Sequence, residues 1–256
     1  MANGERVMPF SAREDIREQH FKQVWVEELN DVFADVARYY DRANHVASLG
    51  LWSWLHKRFI STIDVQSGQQ MLDICAGTNV IGIALLKKQP DLQVHAMDRS
   101  AAMQAVGQES ARKLGMQIES TIGDVHKLPF PDNHFDVVTL QYASRHLRIM
   151  DVCREARRVL KPGGHFYHSD MLRPSNKIVA WSYYTFLRFT LNFTALLFGS
   201  STAAHRCKEY FIDALRLFYS AEEFSDLLAD VGFEDISYQA PLGGMIGFHK
   251  AMKPNK

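Results

Sequence analysis

Three aspartates, each at the end of a short apolar run, are the first residues in this chain whose type and spacing suit chemistry. Asp73 opens the segment Asp73-Ile74-Cys75-Ala76-Gly77-Thr78-Asn79, which lies between an apolar stretch and a helical one. A glycine turn there lets main chain approach a ligand closely and aims a helix N-terminus at it. The same segment also reads as an ordinary strand-to-helix turn. Asp98 stands 25 residues later, at the end of the next apolar run. A carboxylate in that place accepts hydrogen bonds from both hydroxyls of a ribose, or caps a helix beginning near Ala101. Asp124 follows the third run, in Gly123-Asp124-Val125. An aspartate there accepts from an exocyclic amine, and a neighbouring amide reaches a ring nitrogen of adenine.

The elements that must position these residues alternate. Apolar strands are expected at Gln70–Cys75, Leu92–Met97, Ile118–Ile122, Phe135–Leu140 and His165–Ser169, with helices at Val80–Lys88, Ala101–Leu114 and Ile149–Leu160. Pro162-Gly163-Gly164 ends the last of these helices. Continuous apolar strands with helices between them predict a parallel sheet covered on both faces, with ligands beyond the carboxyl ends of the strands near the switch point. A helix follows at Ala221–Asp230, then two short runs, Asp235–Gln239 and Gly244–Lys250. Only four residues separate those runs, too few for a parallel crossover, so an antiparallel hairpin is expected. The fold class is therefore α/β: a Rossmann-like, seven-stranded, mostly parallel sheet with an antiparallel C-terminal hairpin. Glu14 to Tyr39 carries apolar residues at helical spacing and predicts one or two amphipathic helices. Four parts are expected: a helical cap over 1–64, a core over 65–172, a helical insertion over 173–219 that lines a substrate, and a closing helix and hairpin over 220–256.

The chain has 256 residues, with 46% hydrophobic and 23% charged. Its 29 basic and 29 acidic residues cancel, which argues against a nucleic-acid partner. Cys75, Cys153 and Cys207 are odd in number and form no CxxC pair; a reducing cytoplasm fits best. No signal peptide is read in the polar segment from Met1 to Asn30. His165 and His168 point to opposite faces of a strand, and His205 and Cys207 form no recognised ligand set, so no metal site is expected. Ile178 to Gly199 is aromatic and nearly long enough to span a bilayer, but Arg188 and Asn192 interrupt it. It reads as a buried or substrate-lining helix, with contact at a membrane surface as the second reading.

Several motifs together resemble the ubiquinone/menaquinone biosynthesis C-methyltransferases, a class I family that uses S-adenosyl-L-methionine. They are Phe33-Ala-Asp-Val-Ala-Arg-Tyr-Tyr40-Asp41-Arg42-Ala43-Asn44 with Ser48 following, the run from Gly123 to Val138, Arg158-Val-Leu-Lys-Pro-Gly-Gly164, Phe218 to Phe233, and Gly243 to Lys250. The resemblance covers about Val32 to Lys250. It implies that Asp73, Gly77, Thr78, Asn79, Asp98, Arg99, Asp124, Val125 and Gln141 hold the cofactor. It also implies that Arg145 and His146 face the substrate, with Tyr40 and Asn44 closing over it. Arg145 would favour a phenolate by its charge, and His146 would either accept a proton near neutral pH or serve as an ordinary helix-entry residue. The departures are Ala76 and Asn79 in the first loop, His146 for an asparagine, Ala43 and Trp52 for a methionine and a histidine, and Ser169-Asp170-Met171-Leu172 for a Glu-x-Ser ending. The expected activity is C-methylation of a small, apolar or prenylated quinol or phenol. Alternatives are C-, O- or N-methylation of a specialised metabolite, or cofactor binding without turnover. A cytoplasmic location, peripheral membrane contact and a homodimer complete the expectations.

Overall fold

The computed structural model describes residues 8–198 and 202–255, without the side chains of 194–208. Expectations resting on Leu196, Leu197, Phe198, Gly199, His205 and Cys207 lie outside the described residues, as does the start of the N-terminal segment.

Five strands alternate with helices as the apolar runs predict: β1 (Gln70–Ile74), β2 (Gln93–Asp98), β3 (Glu119–Ile122), β4 (Phe135–Gln141) and β5 (Leu160–Met171). The last pair, β6 (Glu234–Gln239) and β7 (Ile246–Met252), completes one seven-stranded sheet in the order β3-β2-β1-β4-β5-β7-β6. The first five strands are parallel, while β7 runs antiparallel to both β5 and β6. The hairpin therefore folds back so that its second strand enters the sheet and its first becomes the edge. Gly244 belongs to the turn rather than to β7. β5 is longer than expected because Gly163 and Gly164 continue it, Gly163 donating to Lys253 O at 2.9 Å.

α1 (Phe10–Gln23), α2 (Leu29–Val36), α3 (Tyr40–Ala47) and α4 (Leu51–Thr62) form the cap. A π-helical turn at Val24–Glu28 joins α1 to α2, and Gly50, at φ 85°, turns α3 into α4. α5 (Val80–Lys88), α6 (Ala101–Lys113) and α7 (Ile149–Val159) cover the sheet, followed by α8 (Lys177–Phe198), α9 (Thr202–Arg216) and α10 (Ala221–Val231). Ser220 and Glu223 make a capping box that starts α10, and Gly232 in left-handed conformation ends it.

The core lies on both faces of the sheet. Leu72, Val138 and Phe166 pack with α7 and α10 on one face. Met71, Val137 and Tyr167 pack with α4 and α5 on the other. A third cluster joins Phe21, Trp25, Leu29 and Val32 of the cap to Tyr210 and Ala214 of α9, so cap and insertion are held to each other. Burial of these apolar groups is the main stabilising contribution. Because β1 lies between β2 and β4, the chain reverses direction across the sheet there, and the loops after β1 and β4 open a crevice at the switch point.

α8 is not wholly buried. Tyr183 and Thr190 face inward, whereas Ile178, Trp181 and Phe189 are more than two-thirds exposed. Among the described residues, no helix is long and apolar enough to cross a membrane.

Candidate active site

The loop after β1 turns through three left-handed residues, Cys75, Gly77 and Asn79. Its amides meet the end of β2: Gly77 N–H donates to Asp98 Oδ2 at 2.8 Å. Ser100 N–H donates to Asp98 Oδ1, also at 2.8 Å. Ser100, not Asp98, caps α6. Burial raises the Asp98 carboxyl above its ordinary range, and these amides oppose that rise.

Asp73 is buried beneath the loop, with Oδ1 accepting from Thr139 Oγ1 at 2.6 Å and Oδ2 without a partner. Burial pushes its carboxyl up to about 7, against the Thr139 hydrogen bond and with help from the charge of Asp98. Asp73, Gly77, Thr78, Asp98, Arg99 and Gln141 all line one cleft. Thr78 Oγ1 donates to the Asp41 carboxylate, the Arg99 guanidinium to Trp25 O at 2.8 Å, and Gln141 Oε1 meets His56 Nδ1 at 3.3 Å. Gln141 Nε2 is buried without a partner.

Three expected cofactor residues do not line this cleft. Asn79 keeps the left-handed turn at φ 59°, but its side chain packs behind the loop, where Oδ1 accepts from Gln104 Nε2 at 2.8 Å. Gly107 makes room for it: a Cβ there would lie 2.7 Å from Asn79 Cγ. The Asp124 carboxylate is mostly exposed and accepts from His126, from N–H at 3.0 Å and at Nδ1 at 2.6 Å. The Val125 side chain belongs to the core.

A second cavity, larger and mostly apolar, adjoins the first. Tyr40, Asn44, Tyr142 and Arg145 line it together with apolar residues of α4 and α8. Phe33, Tyr40, Trp52 and Tyr142 border both cavities. Arg145 is held from behind: Nη1 donates to Asp170 Oδ1 at 2.5 Å and to Tyr142 O at 3.1 Å. Its main-chain oxygen accepts from Arg17 Nη2 at 3.0 Å, and Arg17 pairs with Glu14 in the cap. Tyr40 is pushed up by burial, with the Arg145 charge and the Asn44 hydrogen bond opposing.

His146 departs from its expected character. It borders the first cavity and not the second, with Nδ1 2.5 Å from the Tyr210 hydroxyl and Nε2 buried without a partner. Burial and the charges of Arg145 and Arg17 hold it well below its ordinary pKa. That environment favours the neutral ring, against the expected role as a base near neutral pH.

Residues given no site role from sequence include Asp41, which holds Thr78, Asp170, which anchors Arg145, and Tyr142, which stands between the cavities. Tyr142 follows β4 directly, three residues before Arg145, and that adjacency was the available signal.

The ubiE/COQ5 methyltransferase family model matches residues 19–253. A protein of Pseudomonas syringae pv. tomato described as ubiquinone/menaquinone biosynthesis C-methyltransferase UbiE is 31% identical over 240 residues, covering 89% of this chain and 90% of that protein. Its counterpart in Ectopseudomonas mendocina is 32% identical over 240 residues, with the same coverage. Among solved structures, a SAM-dependent methyltransferase from Aquifex aeolicus is 18% identical with a TM-score of 0.54, covering 77% of this chain and 89% of that one. A SAM-dependent methyltransferase from Thermotoga maritima is also 18% identical, with a TM-score of 0.58 over 87% of this chain and 98% of that one. These likenesses establish the class I methyltransferase fold.

Proposed function

The chain belongs to the ubiE/COQ5 methyltransferase family, and from that premise we propose that it C-methylates a prenylated quinol or closely related phenol. It is an S-adenosyl-L-methionine-dependent methyltransferase with a small-molecule substrate. The observation that carries the acceptor reading is the apolar cavity set edge to edge against the cofactor cleft, with polar side chains gathered near the join.

The first cleft fits the cofactor chemically. Asp98 has lone pairs left after its two backbone donors, which suit ribose hydroxyls. Asp73 Oδ2 and Gln141 Nε2 are an orphaned acceptor and donor on the same wall, suited to the amino-acid end. Gly77 and Thr78 bring main chain close. When bound, the cofactor supplies an electrophilic methyl group on a sulfonium. The rings of Phe33, Tyr40, Trp52 and Tyr142 present faces that attract a cation and keep water from the join. Arg145, fixed by Asp170, offers positive charge to an acceptor oxygen. Orientation and exclusion of water are the larger part of the acceleration.

The acceptor's tail extends along α8. Leu51, Phe186 and Leu242 stand at the cavity's rim, part-exposed, and Trp181 and Phe189 are exposed on the outer face of α8. We read this rim as a peripheral contact with a membrane surface on its cytoplasmic side. Purified protein should bind S-adenosylmethionine in calorimetric titration and methylate a demethylated prenyl quinol. Cofactor binding with no transfer to any prenylated quinol or phenol would remove this reading.

A further inference from the structure

Two buried hydrogen-bond donors beside the join have no partner among the described residues: the Tyr142 hydroxyl and the Arg145 Nε–H. Both residues line the apolar cavity, and Tyr142 borders the cofactor cleft as well. Tyr142 is also held at φ 57°, a left-handed conformation that bulky residues rarely adopt. Its N–H is tied to Ser169 O at 2.8 Å, which fixes the backbone in that state. An unmade buried donor and a strained backbone in one cavity-wall residue are the marks of a ligand site.

The chemistry of the pair narrows the ligand. Arg145 only donates and stays charged, and Asp170 occupies its far edge. Burial and the charge of Asp170 push the Tyr142 phenol far up, so it keeps its proton and has it to give. Two donors, one of them cationic, in an otherwise apolar chamber select an anionic oxygen on an apolar body.

The geometry points to Tyr142 as a further catalytic residue: with Arg145 it forms a two-donor pocket that binds the acceptor as a ring phenolate beside the cofactor cleft. This rests on the reading of the chain as a ring C-methyltransferase. The phenol proton goes to solvent on binding. The ring carbon next to the oxygen forms a bond to the methyl carbon as the methyl–sulfur bond breaks, and sulfur keeps that electron pair. The oxygen becomes a neutral ketone oxygen. Loss of the ring hydrogen as a proton, and return of a proton to oxygen, restores the phenol, with one proton released overall.

Negative charge leaves the oxygen during transfer. The two donors therefore act mainly by raising the ionised fraction of bound acceptor, not by favouring the transition state over the bound phenolate. The groups facing that oxygen are Tyr142 and Arg145 from the turn after β4, Tyr40 from α3 with Asn44 beside it, and Tyr183 from α8. Asp170 of β5 lies behind Arg145.

Two measurements on Tyr142→Phe test this. In the pH profile of quinol methylation, the acid limb should move up by about one pH unit, a tenfold change in the bound acceptor's acidity, while the high-pH plateau changes little. An alkyl-tailed nitrophenol, titrated optically against protein loaded with S-adenosylhomocysteine, should bind wild type as its coloured phenolate, and the variant about tenfold more weakly. A Tyr142→Phe protein with unchanged thermal unfolding, wild-type acid limb and wild-type optical titration would overturn the role of Tyr142. So would wild-type protein that methylates quinol but binds the nitrophenol only in its neutral form. Wild-type protein that binds cofactor yet methylates no phenol overturns the C-methylation reading itself, and this inference with it.

Discussion

The cofactor cleft and the acceptor cavity meet at four aromatic rings, yet they are made of different material. The cleft rests largely on strand ends: Asp73 on β1, Asp98 on β2 and Gln141 on β4, with the loop of Gly77 and Thr78 between them. Their positions are fixed by the register of a sheet buried on both faces. The acceptor cavity is walled mainly by helices, α3, α4, α8 and α9, and meets the sheet only at Met171 of β5, Ile246 of β7 and the turn after β4. Binding of a common cofactor can thus stay constant while the helices that shape the acceptor differ. The sharpest test of this division is whether damage on one side leaves the other intact.

Asp98→Ala should weaken S-adenosylmethionine binding by about a hundredfold or more, since two hydrogen bonds to a charged group are lost. Calorimetric titration would read it, and unchanged affinity would break the ribose assignment. Arg145→Ala should reduce kcat/KM by about thirtyfold while cofactor affinity stays within about twofold. It should also lower stability by about 3–5 kcal/mol, because Asp170 is left buried without its partner; denaturant unfolding measures that part.

A subtler test lies in Asp73, whose carboxyl is raised to about 7 by burial. The ammonium of the cofactor favours the ionised form, so affinity should rise about tenfold between about pH 6 and about pH 8. Asp73→Asn should flatten that rise, which separates it from any contribution of Asp98. The sign for stability is opposite. A folded carboxyl above its ordinary value favours folding while protonated, so the ligand-free protein loses this contribution as pH climbs from the ordinary carboxylate range through about 7. The smallest effect is expected for Asn79→Gly. Glycine adopts φ 59° freely, and the lost side chain faces Gln104, not ligand. Affinity should hold within about threefold, with a modest drop in Tm from the missing hydrogen bond.

The same division explains what was legible in the sequence. Apolar runs ending in Asp73 and Asp98, and four residues between the last two strands, are local signals, and they located the sheet and its ligand edge. The exchange of glycine for Asn79 was visible, but not that Gly107, far along the chain, leaves space for its side chain to turn away. Arg145 was readable as a charge. The neutral state of His146 was not, because it depends on burial beneath α9 and on Arg17 in the first helix. Asp124 shows the converse: its neighbour His126, which donates to the carboxylate from its main chain and its ring, was adjacent in sequence, yet that pairing was not read from it.

The hydrogen bond from Arg17 to the main-chain oxygen of Arg145 spans 128 positions of sequence. It works as a latch. The turn that carries Arg145 is tied to β5 through Asp170 and Ser169, and α1 adds a second fastening from the other side. The set of the reaction centre therefore depends on a helix far from it in sequence as well as on the sheet. Loss of that bond would loosen the reaction centre while leaving the strand-end cradle for the nucleoside in place.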